Sequence, residues 1–374
     1  MAALKKREHN MRKLATIRKI DALRPIPDAD AIECAVVGGW TCVVKKGEYA
    51  AGDLAVYCEI DSWIPHEIAP FLSRGNFPRV YNEVKGERLR TMKLRGQLSQ
   101  GLLLPMSILI VDYDTVPGEI CISSNYIPDS ASGVCSKDLV GADVSEMLGI
   151  VKYEAPIPAQ LASEVKGMFP GWIQKTDQER VQNLKEEFDY WLKEQHVWEV
   201  TEKLDGSSMT VYLRDGEFGV CSRNLELKPS ETNSLWKVAV RNDLELKLRR
   251  ANRNLALQGE LIGEGIQGNP YKQKGQEFFL FDIYDIDTSK YLTPAERKAF
   301  VEEHDIKHVP VLAFGAELTN TLGVNSIDGI LKFAEGKSVM GMIGCEREGV
   351  VFKSQAAQCS FKAISNKFLL KGGD

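Results

Sequence analysis

The chain has 374 residues, enough for two domains that each bury a core, and its 44% apolar and 26% charged content is ordinary for a globular protein. A net charge of −5 excludes a generally basic nucleic-acid coat, so any contact with phosphates has to come from local patches. No apolar run approaches the roughly 20 residues that span a bilayer, so no membrane segment is expected.

Lys5, Lys6, Arg7, Arg12 and Lys13 make the start of the chain basic. No apolar core follows, so this is not a secretory signal, and it reads as a solvated end rather than a nucleic-acid-binding arm. Leu14–Ile17, Ala35–Val37, Trp40–Val44 and Leu54–Cys58 then read as strands. Gly38-Gly39, Lys46-Gly47 and Ala51-Gly52-Asp53 punctuate them as turns, the pattern of a small antiparallel barrel. Within it, Glu87 to Gln97 reads as one basic strand. Strict alternation puts Arg88 and Arg90 on one face and Lys93 and Arg95 on the other. It fits an RNA-contacting patch and a solvated edge strand equally well.

Pro156, Pro158 and Pro170 punctuate a connecting stretch. Asp177 to Gln195 is expected as a helix, with apolar Val181, Leu184, Phe188, Trp191 and Leu192 at three- and four-residue intervals and Thr176 or Asp177 as cap. Residues 197–370 alternate short strands with turns. They are interrupted by a basic helical stretch from Lys237 to Arg253 and a helix from Pro294 to His304. The eight cysteines have no Cys-x-x-Cys spacing and read as reduced residues of an intracellular protein. His304 and His308 stand four apart but lack the neighbouring acid of a zinc-protease helix, so no metal is assigned to them.

The decisive feature is Val200-Thr201-Glu202-Lys203-Leu204-Asp205-Gly206, a strand that delivers a lysine, then an acid and a glycine at a turn. A lysine is nucleophilic only when neutral, and an ordinary pKa near 10.4 leaves about one molecule in a thousand neutral at physiological pH. A divalent cation beside Lys203, held in part by Asp205, is the simplest way to lower that value. Downstream come Arg223-Asn224, Glu260 between Gly259 and Leu261, the strand Phe278-Phe279-Leu280-Phe281-Asp282, Glu348-Gly349-Val350, and Lys362.

That order of lysine turn, arginine, acid, aromatic strand, acid and lysine resembles the covalent nucleotidyltransferases, namely polynucleotide ligases and mRNA capping enzymes. DNA ligases and capping enzymes carry an OB-fold domain after the final lysine, whereas here twelve residues follow Lys362. A barrel placed before the transferase, with a segment like Phe169 to Asn183, is similar to one family of ATP-dependent RNA ligases. The resemblance implies an α+β protein. Residues 1–150 would form an OB-like nucleic-acid-binding domain, residues 151–185 a connecting segment, and residues 186–374 a nucleotidyltransferase domain of antiparallel sheets with flanking helices.

It further implies a ligase that joins 5′-phosphate and 3′-hydroxyl RNA ends through lysyl-AMP and RNA-adenylate, at nicks and in RNA repair. Lys203 would be the nucleophile. Asp205, Glu260 and Glu348 would hold Mg2+ or Mn2+, and Lys362 would touch the α-phosphate. Arg223 and Asn224 would contact the ribose or phosphate, Phe281 and Val350 would sandwich the adenine, and Glu202 would read its edge. Lys175 and Arg180 are candidates for pyrophosphate or RNA. Related ligases often place a second lysine two positions after the last one. Here that position is Ile364, leaving Lys367 as a substitute. RNA is the expected partner, as a nicked duplex or RNA/DNA hybrid, with the protein monomeric and intracellular. The alternatives are a DNA ligase or capping-type enzyme on the same scaffold, or a non-catalytic nucleic-acid-binding protein with a degenerate transferase domain.

Overall fold

The computed structural model describes residues 13–116, 119–124, 134–136, 138–154, 163–341, 345–354 and 359–371. Pro156, Pro158 and the basic start other than Lys13 lie outside them. The chain divides into two compact units, Met1–Pro156 and Ile157–Gly373. Among the described residues no helix is long and apolar enough to cross a membrane.

In the first unit Leu54–Cys58 is the middle strand of a three-stranded sheet between Ala15–Lys19 and Leu102–Pro105. Ala22–Pro25, Ile32–Val37 and Trp40–Lys45 form a second sheet, in which Trp40, Cys42 and Val44 alternate inward. Ile17, Val56, Ile64 and Leu104 pack in one core, and Trp40, Cys42 and Tyr57 in another. The expected basic strand does not run unbroken. Arg88 ends the strand Val84–Arg88, and Met92–Leu94 pairs back on Gln97–Ser99. Arg95 and Gly96 both have positive φ, 49° and 82°, which makes the two-residue turn that closes such a hairpin. Arg88 is paired to Asp61 and lies over the Tyr153 ring, so it leaves the solvent-facing set.

Among the described residues six cysteines are free, and Cys34, Cys42, Cys58 and Cys221 of these are buried. Cys121, however, is disulfide-bonded, against the expectation that every cysteine is reduced. Cys135 stands opposite it on the neighbouring antiparallel strand, where paired Cα atoms lie within the ~4.5–6 Å a disulfide spans.

The second unit is built from two sheets. The larger runs in the order Val165–Met168, Leu225–Leu227, Glu217–Cys221, Ser207–Arg214, Leu255–Gly263, Gln276–Asp285 and Lys290–Tyr291. The smaller runs in the order Glu179–Arg180, Ser360–Ile364, Gly349–Ser354, Val197–Lys203 and Val311–Glu317. Helices cover one face of each. Val238, Leu248 and Phe300 pack on Val211, Leu257 and Leu280 of the larger sheet. Phe188, Trp191 and Ile330 pack on Trp198, Val200, Val350 and Phe352 of the smaller. The chain passes from the smaller sheet to the larger through Leu204-Asp205-Gly206.

The helix Pro294–His304 stands as expected, closed by a capping box between Thr293 and Glu296. The basic stretch is two helices, Ser234–Arg241 and Leu244–Ala251, parted where Asp243 adopts a left-handed φ of 51°. The helix expected from Asp177 begins only at Lys185. Glu179–Arg180 pairs in parallel with Phe361–Lys362, and those backbone groups are thereby taken from any helix. Neither Thr176 nor Asp177 caps it.

Candidate active site

Alternation along Val197–Lys203 sends Trp198, Val200 and Glu202 to the helix-covered side and Glu199, Thr201 and Lys203 to the other. Lys203 ends the strand and Asp205 follows in the crossing turn. A Cβ on Gly206 would lie 2.4 Å from the Leu261 carbonyl and 2.9 Å from Glu260 Cγ, so only glycine lets the turn approach the Glu260 strand. Gly349 serves the other side in the same way, since a Cβ there would stand 2.2 Å from the Ala363 carbonyl. These close approaches set Asp205 from the crossing turn, Glu260 from the larger sheet and Glu348 from the edge of the smaller around one amine. The Asp205 backbone N–H donates to the Tyr271 hydroxyl at 2.6 Å, and Tyr271 is itself buried. This contact fixes the turn, and the sequence reading missed it.

Lys203 Nζ donates to Glu348 Oε1 at 2.6 Å. Burial pulls its pKa down, but Glu348, Glu260 and Asp205 together outweigh burial and hold the amine above its ordinary value. The acids register the same crowding. Burial, with Glu348 adding repulsion, lifts Asp205 to about 6. Burial lifts Glu260 to about 8 against the opposing pull of Lys203, with Glu348 and Asp205 adding to the rise.

A divalent cation can be tested against this donor set. All three acids offer hard oxygens, and Glu348 Oε2 is buried with no hydrogen-bond partner. Three carboxylates face one ammonium. Yet no three His, Cys, Asp or Glu side chains among the described residues converge into a ready metal cage. The Lys203 ammonium stands among the three acids and pairs with Glu348. Mg2+ commonly keeps several waters and uses one or two carboxylates plus substrate phosphates, and the donor set fits that mode.

Lys362 lies on the Lys203 side of the smaller sheet, in register with Val351 and beside Arg180. Burial lowers it to about 8, with Asp177 opposing. Asp177 Oδ1 stands 3.5 Å from Lys362 Nζ and 3.7 Å from an Arg223 nitrogen, so one carboxylate joins two of the expected phosphate-binding cations. Asn224 Oδ1 accepts from Lys175 Nζ at 2.9 Å, and Lys175 also lies over the Phe169 ring. Phe281 is half-buried in one apolar cluster with Leu204, Ile262, Tyr271 and Phe279, immediately beside the lysine turn. A cleft of about 350 Å3 is lined by residues that include Lys175, Asp177, Asp282, Arg297 and Lys353, and neither Lys203 nor its three acids line it.

Three expected residues are not brought to this face. Val350 is fully buried among Trp198, Val200 and Phe352, because alternation from Gly349 turns it to the helix-covered side. Its neighbour Val351, level with Thr201 and Lys362, stands on the amine side instead. The Glu202 side chain follows Val350 under the loop at Ser338–Met340, where it accepts the Val339 N–H at 2.9 Å. Lys367 is exposed on the helix Asn366–Leu370 and pairs with Glu335 at 3.0 Å, so Lys362 has no substitute partner there.

Comparison with known proteins adds an independent line. A family model described as RNA ligase matches residues 196–367, and a model of an OB-fold domain matches residues 14–106. A solved point mutant of the Naegleria gruberi RNA ligase with AMP and Mn is 48% identical, with TM-score 0.79, covering 97% of this chain and 100% of that one. Another mutant of that ligase, with ATP and Mn, is 48% identical with TM-score 0.78, covering 96% and 99%. The same ligase with PPi is 47% identical with TM-score 0.77, covering 97% and 99%. No curated protein sequence matches the chain.

Proposed function

Because this chain belongs to the RNA ligase family, we propose that it joins 5′-phosphate and 3′-hydroxyl RNA ends at the expense of ATP, with Lys203 as the covalent carrier of AMP. The observation that carries this reading is the Lys203 amine, 2.6 Å from Glu348 and flanked by Asp205 and Glu260 where the two sheets meet. Neutral Lys203 attacks the α-phosphorus of ATP; a P–N bond forms and pyrophosphate leaves. The AMP then passes to the RNA 5′-phosphate oxygen, the P–N bond breaks, and the amine is released. Finally the 3′-hydroxyl oxygen attacks the activated 5′-phosphorus, AMP leaves, and the hydroxyl proton is lost to the surroundings. Every step is a displacement at phosphorus, so the chain's task is alignment and the neutralisation of oxygen charge.

Asp205, Glu260 and Glu348 would hold Mg2+ or Mn2+, which, when bound, supplies positive charge that favours the neutral amine and screens phosphate oxygens. Lys362 meets the α-phosphate, and Arg223 with Asn224 the ribose side. Phe281 stacks on the adenine, with Val351 in place of Val350 across from it. Lys175 and Arg180 stand on the same side for pyrophosphate or RNA.

The first unit holds the RNA. Residues 74–95 carry seven Lys or Arg against two Glu in a chain whose net charge is −5. Arg74, Arg79, Lys85, Arg90, Lys93 and Arg95 are exposed there, around a Phe77 ring that is 97% exposed. Cations with a free aromatic face suit a nucleic-acid strand. We place the substrate as a nicked duplex or RNA/DNA hybrid and the protein as an intracellular, monomeric RNA-repair ligase. Comparing sealing of nicked, gapped and single-stranded RNA checks the substrate. Chemistry is checked by incubation with α-labelled ATP and Mg2+ or Mn2+. Label should stay on the denatured protein and be absent from Lys203→Ala; no adduct at any pH with either metal would defeat the reading.

A further inference from the structure

Five ionisable side chains meet behind Phe281, none of them among the residues assigned above to phosphate or metal. The strands of Leu255–Gly263 and Gln276–Asp285 pair in register up to Gly259–Leu280 and resume at Gln258–Asp282. Phe281 is therefore the extra residue of a β-bulge. A bulge breaks strict alternation, and both Phe281 and Asp282 turn toward the smaller sheet while Leu280 and Ile283 stay in the helix-covered core. A bulged residue has no ladder partner of its own. Its carbonyl is taken instead by Lys353 Nζ, which also lies 5.7 Å from the centre of the Phe281 ring.

Lys353 Nζ pairs with Asp282 Oδ1 at 2.8 Å, and Arg297 Nη1 reaches the same oxygen at 3.3 Å. Arg297 Nη2 donates to Glu199, and Arg297 Nε donates to His308 Nε2 at 3.1 Å. His308 Nδ1 stands 2.6 Å from the Val309 carbonyl, so it carries the proton and Nε2 accepts. Two cations, two anions and a neutral imidazole leave no net charge. Glu199, Asp282, Arg297 and Lys353 are all less than 9% exposed. Glu199 and Lys353 come from the smaller sheet, Asp282 from the larger, Arg297 from the helix Pro294–His304. Burial, reinforced by Arg297, lowers His308 to about 4, and burial lowers Lys353 to about 8.

A balanced, buried set of this kind adds little to net stability over apolar packing, which leaves its retention to be explained by what it positions. We propose that Lys353, anchored by Asp282 and Arg297, positions Phe281 by holding the carbonyl and ring of the bulge, and thereby sets the enzyme's affinity for the purine of ATP. This rests on the reading that Phe281 stacks on the adenine. Lys353 does not touch the nucleotide in this account; it acts through Phe281.

The test is single-turnover lysyl-AMP formation by the full chain with α-labelled ATP, giving KM and kcat for Lys353→Met, Phe281→Ala and the two together. Loss of a charged hydrogen bond to the bulge should raise KM for ATP about tenfold with kcat within about twofold. In the Phe281→Ala background Lys353→Met should add nothing. Full additivity of the two changes, with Phe281→Ala itself raising KM, overturns the positioning role alone. A Phe281→Ala protein with normal KM overturns the stacking reading and the proposal with it. Should Lys353→Met fail to fold, Lys353→Met with Asp282→Asn removes one charge of each sign, keeps the set neutral, and must show the same KM rise.

Discussion

Two clusters of charge in the second unit, one half-buried around Lys203 and one buried around Arg297, are built on opposite principles. Around Lys203 three carboxylates face one ammonium, Glu348 keeps a buried oxygen without a partner, and Asp205 and Glu260 are both lifted. Around Arg297 and Lys353 cations and anions balance, and every charged group finds a counterpart. An excess of one sign in a confined space is a site waiting for charge from a ligand, whereas a balanced set is complete in itself. The contrast also corrects a simple rule. Lys353 and Lys362 are lowered to about 8 while Lys203 is raised, so a search for the most depressed lysine would pass over the amine we propose as the nucleophile. Only the surplus of carboxylate distinguishes the amine beside which a divalent cation belongs.

Substitutions break the comparison at its two ends. Lys203→Ala should abolish ATP-dependent sealing of 5′-phosphate RNA, yet still join RNA supplied already adenylylated, because the last displacement needs no lysyl adduct; a gel assay of both substrates checks this. Arg297→Met strips the counter-charge from Glu199 and Asp282. It should cost about 3–5 kcal/mol in urea unfolding, as expected when one partner of a buried pair is removed. An effect under ~1 kcal/mol would show that this set is not the closed network described.

The unevenness of what the sequence discloses follows the same division. Lys203, Asp205 and Glu348 were legible because each sits at a strand end or turn near a glycine, and Glu260 and Lys362, which lie within strands, because of their order along the chain. Arg297, Glu199 and His308 were not, since they come from positions 199, 297 and 308 and meet only in three dimensions. The placement of Val350 and Glu202 was hidden for a finer reason: a strand shows its period in sequence but not which of its two faces turns toward the amine. The helix from Asp177 failed because a two-residue parallel pairing with Phe361–Lys362 overrode a good apolar period. In the first unit the strands Leu54–Cys58 and Trp40–Lys45 were readable almost to the residue, whereas the break at residues 89–91 and the turn at Arg95-Gly96 divide a basic run that pattern alone made continuous.

Smaller effects sharpen the picture. His308 is held neutral in the folded state, with its pKa lowered to about 4 from an ordinary 6.5. The unfolded chain therefore binds the proton first. Stability from this group is fully present above pH 6.5 and falls as pH drops toward 4, by up to about 3 kcal/mol. Thermal midpoints across that range should show an acid decline that His308→Gln flattens. Smallest is the first unit's contribution. Reversing Lys85, Lys93 and Arg95 to Glu should lower sealing efficiency about tenfold at moderate salt and flatten its salt dependence, while lysyl-AMP formation is unchanged. Equal loss in both steps would move the hairpin's role away from RNA.

The most direct trial is to digest the protein after reaction with α-labelled ATP and a divalent metal and to map the adduct by mass spectrometry. The unbalanced cluster predicts one AMP, joined through a P–N bond to the peptide bearing Lys203. An AMP on Lys353 or Lys362 instead would mean that depressed basicity, not carboxylate surplus, selects the nucleophile, and would contradict the account.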